Sequence, residues 1–146
     1  MKTNSSAKLI QFIDIPKVYD EGILVFSEAL RHIPFEIKRF YLIHNVIEHA
    51  VRGKHAHKKT RQVLFCVQGS ITIILDDGRS REAVKLNKSH RGILLDTMIW
   101  HEMVSFQKNT VLLVVASEYF EESDYVRSYK DFIQLKGQTS VENNEK

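Results

Sequence analysis

One cysteine, two prolines and a single tryptophan are all that 146 residues contain of these types. A lone cysteine excludes an intrachain disulfide. Cys66 lies in the apolar run Val63-Leu64-Phe65-Cys66-Val67, which predicts a reduced, buried thiol and a cytoplasmic protein. Long hydrophobic runs are also missing. The longest, around Val111 to Ala116, is far short of the ~18 residues a membrane span needs. The start, Met1-Lys2-Thr3-Asn4-Ser5-Ser6, has no apolar core of the export type, so neither membrane insertion nor secretion is expected. Charge of one sign is not concentrated anywhere. The 21 Lys+Arg and 18 Asp+Glu leave +3 spread along the chain, which argues against a nucleic-acid surface.

What is present is 43% apolar sequence in short runs of Val, Ile, Leu, Phe and Tyr separated by turn signals, enough for one core and one domain. Both ends are polar, and the expected division is a flexible tail over 1–8, one domain over 9–136 and a flexible tail over 137–146. The pattern predicts an all-β sandwich or barrel. Strands are expected near Leu9–Asp14, Ile37–Asn45, Gln62–Val67, Ser70–Asp76, Arg81–Leu86, Gly92–Leu95, Met98–Phe106 and Thr110–Ser117. Asp77-Gly78 suggests a type I′ hairpin turn, and Asn87-Lys88 a weaker turn. Glu21 to Ile33 supports only a short helix or irregular connection. A C-terminal helix capped by Ser123 would carry Tyr125, Tyr129 and Phe132 as an aromatic stripe packed on the outside of the barrel.

The sharpest local feature is Arg52-Gly53-Lys54-His55-Ala56-His57-Lys58-Lys59-Thr60-Arg61-Gln62. In an extended chain, residues two apart project from one face, so His55 and His57 converge if that face lines the interior. Three readings are open: a solvated basic loop, a pair of metal ligands, or a general acid–base pair, since imidazole titrates near neutral pH.

Further residues narrow the choice. Gly53-Lys54-His55-Ala56-His57 with Gln62 and Gly69 resembles the first cupin motif. Ile33-Pro34-Phe35-Glu36-Ile37-Lys38-Arg39, Arg52 to Lys58, Leu75-Asp76-Asp77-Gly78, Trp100-His101-Glu102-Met103, Leu113 to Ser117 and Asp124-Tyr125-Val126-Arg127-Ser128-Tyr129 occur in order. This set, from about Leu9 to Phe132, resembles the sugar 3,4-ketoisomerases, small cupins acting on dTDP-4-keto-6-deoxyglucose. The resemblance implies a cupin fold, a double-stranded β-helix or jelly-roll barrel, with a short C-terminal helix. It also implies a reaction that moves the sugar carbonyl from C4 to C3 on the way to 3-amino-3,6-dideoxy sugars of bacterial surface glycans. No cofactor and no catalytic metal are expected. Gln62 stands where metal cupins place a carboxylate, and the Pro-x-Gly of the second metal-cupin motif is missing before His101. A second departure is Tyr19-Asp20-Glu21-Gly22, where the ketoisomerases often carry Asp-x-Arg-Gly.

On this reading His55 and His57 are the catalytic acid and base. Arg39 and Tyr41 share a strand face and are candidates to bind the sugar oxygens. Arg52, Lys59 and Arg61 are candidates for the diphosphate. Trp100 is a candidate wall or thymine-stacking residue, and His101, the third cupin histidine, a candidate donor to the sugar alongside Gln62. Asp124, Arg127 and Tyr129 read as helix-cap and packing residues, while Lys58, His32, His44, His49 and His90 read as surface groups. Three other readings remain: a cupin 3,5-epimerase, a class that relies on a His–Asp pair and a tyrosine acid; a metal cupin such as a dioxygenase; or a non-catalytic nucleotide-sugar-binding cupin. A homodimer is expected, with the strand Leu9–Asp14 adding to a partner's sheet.

Overall fold

The structure, a computed structural model, describes residues 8–144. The expected N-terminal tail falls almost wholly on residues 1–7, outside that range. Alternating burial along short strands produces two five-stranded antiparallel sheets facing each other. The first sheet has the order β1(Phe12–Asp14), β9(Arg91–Leu95), β6(Gln62–Gln68), β11(Val111–Ala116), β4(Arg39–His44). The second has β12(Tyr125–Val126), β5(Arg52–His57), β10(Trp100–Val104), β7(Ile71–Asp76), β8(Arg81–Leu86). This is the expected all-β cupin barrel. A two-stranded arm, β2(Lys17–Tyr19) and β3(Ile23–Val25), stands outside it.

Three apolar clusters hold the layers together. Between the sheets, Leu64, Cys66, Ile71, Ile73, Leu75, Ile93, Leu112 and Val114 form the main core, which confirms Cys66 as a core residue. Outside the first sheet, Val63, Phe65 and Val115 are covered by Ile33 and Phe35. Outside the second, Ala56, Trp100 and Val126 are covered by Phe132 of the C-terminal helix α1(Tyr129–Asn144).

Several expectations need correction. Of the two forms expected for Glu21 to Ile33, the irregular connection is found and the helix is not, and the short strand β3 inside it was not expected. The C-terminal helix does not begin at Ser123. A short 3₁₀ turn over Glu122–Asp124 and strand β12 intervene, and the Ser128 hydroxyl caps the helix by accepting from the Asp131 N–H at 3.3 Å. The helix runs on to Asn144, past the expected boundary at residue 136. Tyr125 therefore lies on a strand facing inward, and the outer stripe keeps only Tyr129 and Phe132 of the three aromatics. The hairpin at Asp77-Gly78 is not type I′, because Gly78 has φ +92° whereas Asp77 is not in the positive region. A four-residue connection forms instead, closed by the Asp77 carboxylate accepting from the N–H groups of Arg79 and Ser80. The N-terminal strand β1 pairs with β9 of its own chain. Among the described residues no helix is long and apolar enough to cross a membrane.

Candidate active site

The barrel opens between β4, at the edge of the first sheet, and the β12–β5 edge of the second. A cavity of about 350 Å³ lies there, lined by Arg39, Tyr41 and Ile43 of β4, Arg52, Gly53 and His55 of β5, Met103, Tyr125 and Arg127. Strand β5 is not among the strands expected from the sequence, although convergence of His55 and His57 requires an extended chain there. Its pairing with β10 carries a register shift between His101 and Glu102, opposite Gly53 and Lys54. Gly53 (φ +83°) and Lys54 (φ 53°) both take left-handed backbone at this bulge. Beyond it the strand is regular, so His55 and His57 do project from one face.

The two imidazoles meet, with Nε2 of each 3.2 Å from the other. They are not equivalent. His55 lines the cavity, and its Nδ1–H donates to the Gly53 carbonyl at 2.9 Å. His57 lies behind it, 2% exposed, and its Nδ1 bonds the Asp124 carboxylate at 3.0 Å. Asp124 also accepts from the Lys59 backbone N–H at 2.6 Å and from the Thr60 hydroxyl. Burial works against its ionisation, but these donors together hold its carboxyl below the usual aspartate value. Burial pushes His55 down to about 4, with the neighbouring His57 adding to the effect. His57 is lowered for the same reason, against the pull of Asp124. Both imidazoles are therefore neutral near pH 7 and available as bases.

His101 is fully buried, its ring centroid 4.4 Å from that of His55. Neither of its ring nitrogens makes a hydrogen bond of normal geometry, and burial drives its pKa well down. Its Cδ2–Nε2 edge packs against Gly53. It supports β5 from below and does not reach the cavity wall, which corrects its expected role as a donor to the sugar. Among the described residues no three His, Cys, Asp or Glu side chains are grouped to hold a metal ion.

Tyr41 faces the same space. Gln62 Nε2 donates to its hydroxyl oxygen at 3.0 Å, and burial raises the phenol to about 12. The Tyr41 hydroxyl thus stays protonated and can donate. Gln62 itself is fully buried and does not line the cavity, so it is placed to orient Tyr41 from behind. Arg39 stacks over Tyr41 and Phe120, each 5.7 Å from the guanidinium carbon, and Arg127 lies 4.3 Å from the Tyr125 ring centroid while bonding Glu122 with two nitrogens. With Arg52 they give the mouth three guanidinium groups.

Three other expectations fail on geometry. Trp100 points to the outer face, 5% exposed, against Tyr129 and Phe132, and does not line the cavity. Lys59 projects to an ion pair with Glu121, and Arg61 bonds the Pro34 carbonyl and lies over Phe35. Neither lines the cavity.

The family model described as FdtA: WxcM-like, C-terminal matches residues 7–137. The chain belongs to the FdtA family. A relative, the TDP-4-oxo-6-deoxy-alpha-D-glucose-3,4-oxoisomerase of Aneurinibacillus thermoaerophilus, is 42% identical over 121 residues, 82% of this chain and 87% of its own. The 3,4-ketoisomerase QdtA of Thermoanaerobacterium thermosaccharolyticum, solved in complex with TDP, superposes with a TM-score of 0.88 at 36% identity, covering 92% of this chain and 98% of that one. A histidine-to-asparagine mutant of QdtA, solved with TDP-4-keto-6-deoxyglucose, gives 0.86 at 37% identity, covering 88% and 94%.

Sequence reasoning missed Asp124, Tyr125 and Arg127 as members of the site. The sequence pattern puts all three in or beside the C-terminal helix. Nothing in the local sequence speaks against that placement, since Ser123 and the acidic residues around it also suit a helix start. The two-residue strand β12 carries Asp124 to the back of the histidine pair by pairing Tyr125 with His57.

Proposed function

We propose that this FdtA-family protein is an isomerase that moves the carbonyl of dTDP-4-keto-6-deoxyglucose from C4 to C3, with His55 as the group that handles the carbon-bound proton. The observation that carries the reading is a neutral imidazole, without hydrogen at Nε2, lining an open cavity that a protonated phenol also lines. His55 takes the proton from C3 and the electron pair moves into the C3–C4 bond as O4 is protonated. The enediol then loses the O3 proton as the C3 carbonyl forms, and C4 receives a proton from His55. No electrons leave the sugar, so no redox cofactor enters the balance. Tyr41, with Arg39 stacked on it, supplies the donor for the oxygens whose charge changes. Arg39, Arg52 and Arg127 at the mouth suit the two negative charges of a nucleoside diphosphate.

This assignment departs from a pair of equivalent acid–base histidines, since His57 stands behind His55. A His–Asp pair is the feature associated above with 3,5-epimerases. Here the paired histidine is the buried one and the group facing the cavity has no carboxylate partner, which favours the isomerase. Substrate labelled with ¹³C at C3 and C4 distinguishes the two by NMR. The isomerase moves the carbonyl resonance to C3. A carbonyl that stays at C4 while C3 and C5 protons exchange identifies an epimerase, and binding with neither change identifies a sensor.

We also propose a homodimer, formed through the outer side of the first sheet. Phe40 and Leu42 of β4 and Ile23 and Leu24 of the arm are exposed, and an apolar groove of about 530 Å³ runs between the arm and Phe65, Val67, Leu113 and Val115. A single-chain mass by light scattering at micromolar concentration contradicts it.

A further inference from the structure

The hydrogen bonds around the histidine pair fix where its protons sit. The Gly53 carbonyl can only accept, so His55 Nδ1 carries hydrogen and its Nε2 is bare when neutral. Asp124 is ionised and accepts on both oxygens, so the hydrogen of neutral His57 is drawn to Nδ1 and its Nε2 is bare as well. The two Nε2 atoms without hydrogen therefore lie 3.2 Å apart, with the rings nearly perpendicular at 85°, a distance at which either ring would donate to the other if its tautomer allowed. Were His57 protonated at Nε2 instead, it would donate into the His55 Nε2 lone pair, the one that must remove the substrate proton.

We propose that Asp124 is a positioning residue that keeps His55 a base: by holding the proton of His57 on Nδ1, it leaves the His55 Nε2 lone pair unmasked. The inference rests on His55 being the carbon base. After His55 has taken a proton, the same arrangement offers a second benefit. The new Nε2–H has the bare Nε2 of His57 within hydrogen-bonding distance, and the nearby Asp124 charge offsets that of the imidazolium. Thr60 and the Lys59 N–H hold Asp124 in place and touch neither imidazole.

The variant that tests this is Asp124→Asn. Asparagine keeps the size, and its oxygen can still accept from the Lys59 N–H, but the NH₂ then takes the place of Oδ2, donates to His57 Nδ1 and drives the hydrogen to Nε2. Turnover is expected to fall by roughly 10²- to 10⁴-fold, the span of a lost or wrongly set general base, with the dissociation constant for TDP changed by less than about threefold. Adding His57→Phe to Asp124→Asn removes the masking donor and is expected to restore turnover at least about tenfold over Asp124→Asn alone. A purely structural Asp124 gives a double variant no better than the single one, which overturns the proposal. Long-range ¹H–¹⁵N NMR of the unmutated protein gives a reading independent of variant folding. It is expected to show neutral His57 as the Nδ1–H tautomer, and an Nε2–H signal overturns the proposal. In either case isomerisation by the unmutated protein still stands or falls separately, so the two readings fail by different observations.

Discussion

Gly53→Ala is the substitution that the geometry constrains most tightly. Gly53 has φ +83°, where an L residue is disfavoured by about 1–2 kcal/mol. An added Cβ would sit 3.0 Å from the His101 carbonyl oxygen and 3.1 Å from its Cδ2. His101 has little room to give, because β10 is hydrogen-bonded to β5 on one side and β7 on the other. The relief must come from β5, and the Gly53 carbonyl is the anchor of His55. Strain and contact together are expected to lower stability by roughly 2 kcal/mol, or about 4–8 °C in melting temperature for a domain of this size. Displacing the base by a few tenths of an ångström is expected to lower turnover about tenfold or more, since a misplacement of about 1 Å can lose 10²-fold. Gly69→Ala is the control. Its φ is +80° and its Cβ would lie 2.4 Å from Thr110 Oγ1, at the turn between β6 and β7 and away from the cavity. It is expected to destabilise at least as much while leaving turnover per folded molecule unchanged. Urea unfolding gives the stabilities and ¹³C NMR of product formation gives the rates. Equal turnover in both variants refutes the claim that the bulge positions His55.

Three further outcomes follow from the same contacts. Between about pH 6.5 and 4 an unfolded chain binds a proton at His55 that the folded chain refuses, so stability falls as pH drops through this window. His55 alone contributes on the order of 3 kcal/mol, and His55→Gln should flatten that part of a pH series of urea midpoints. Trp100→Phe should cost about 1–2 kcal/mol by thermal unfolding, because it thins the packing under α1, and should leave KM unchanged. A rise in KM would place the tryptophan at the ligand after all. Thr60→Val removes one of the donors that hold Asp124 and should lower turnover less than Asp124→Asn does. An effect as large as that of Asp124→Asn would show that the hydroxyl has a role of its own.

The strand pattern was readable because burial alternates along β4, β7 and β8, and Arg81–Leu86 matches its expected bounds. The arm was not readable. Lys17–Tyr19 and Ile23–Val25 are three-residue strands paired only to each other, and their local sequence carries no core periodicity. The His55–His57 pair was legible because a two-residue spacing on a strand is a geometric statement by itself. Their division into front and back was not, since it depends on Asp124, 67 residues further on. The roles of Trp100, Lys59 and Arg61 were misjudged for a common reason. Closeness in sequence to the histidines says nothing about the face on which a residue lies, and Trp100, next to His101, points to the opposite side of its strand. Glu21, which replaces an expected arginine, sits exposed in the turn between β2 and β3 and is not part of the cavity wall.

The account turns on His55 as the group that breaks the C3–H bond, and substrate deuterated at C3 examines that directly. Mass spectrometry and NMR should show the C3–D bond broken within the turnover time by the unmutated protein as the 3-keto sugar appears. With His55→Asn, which should still bind TDP, the label should stay fully at C3. Loss of deuterium at an undiminished rate in His55→Asn would mean that another group is the base, and would contradict the account.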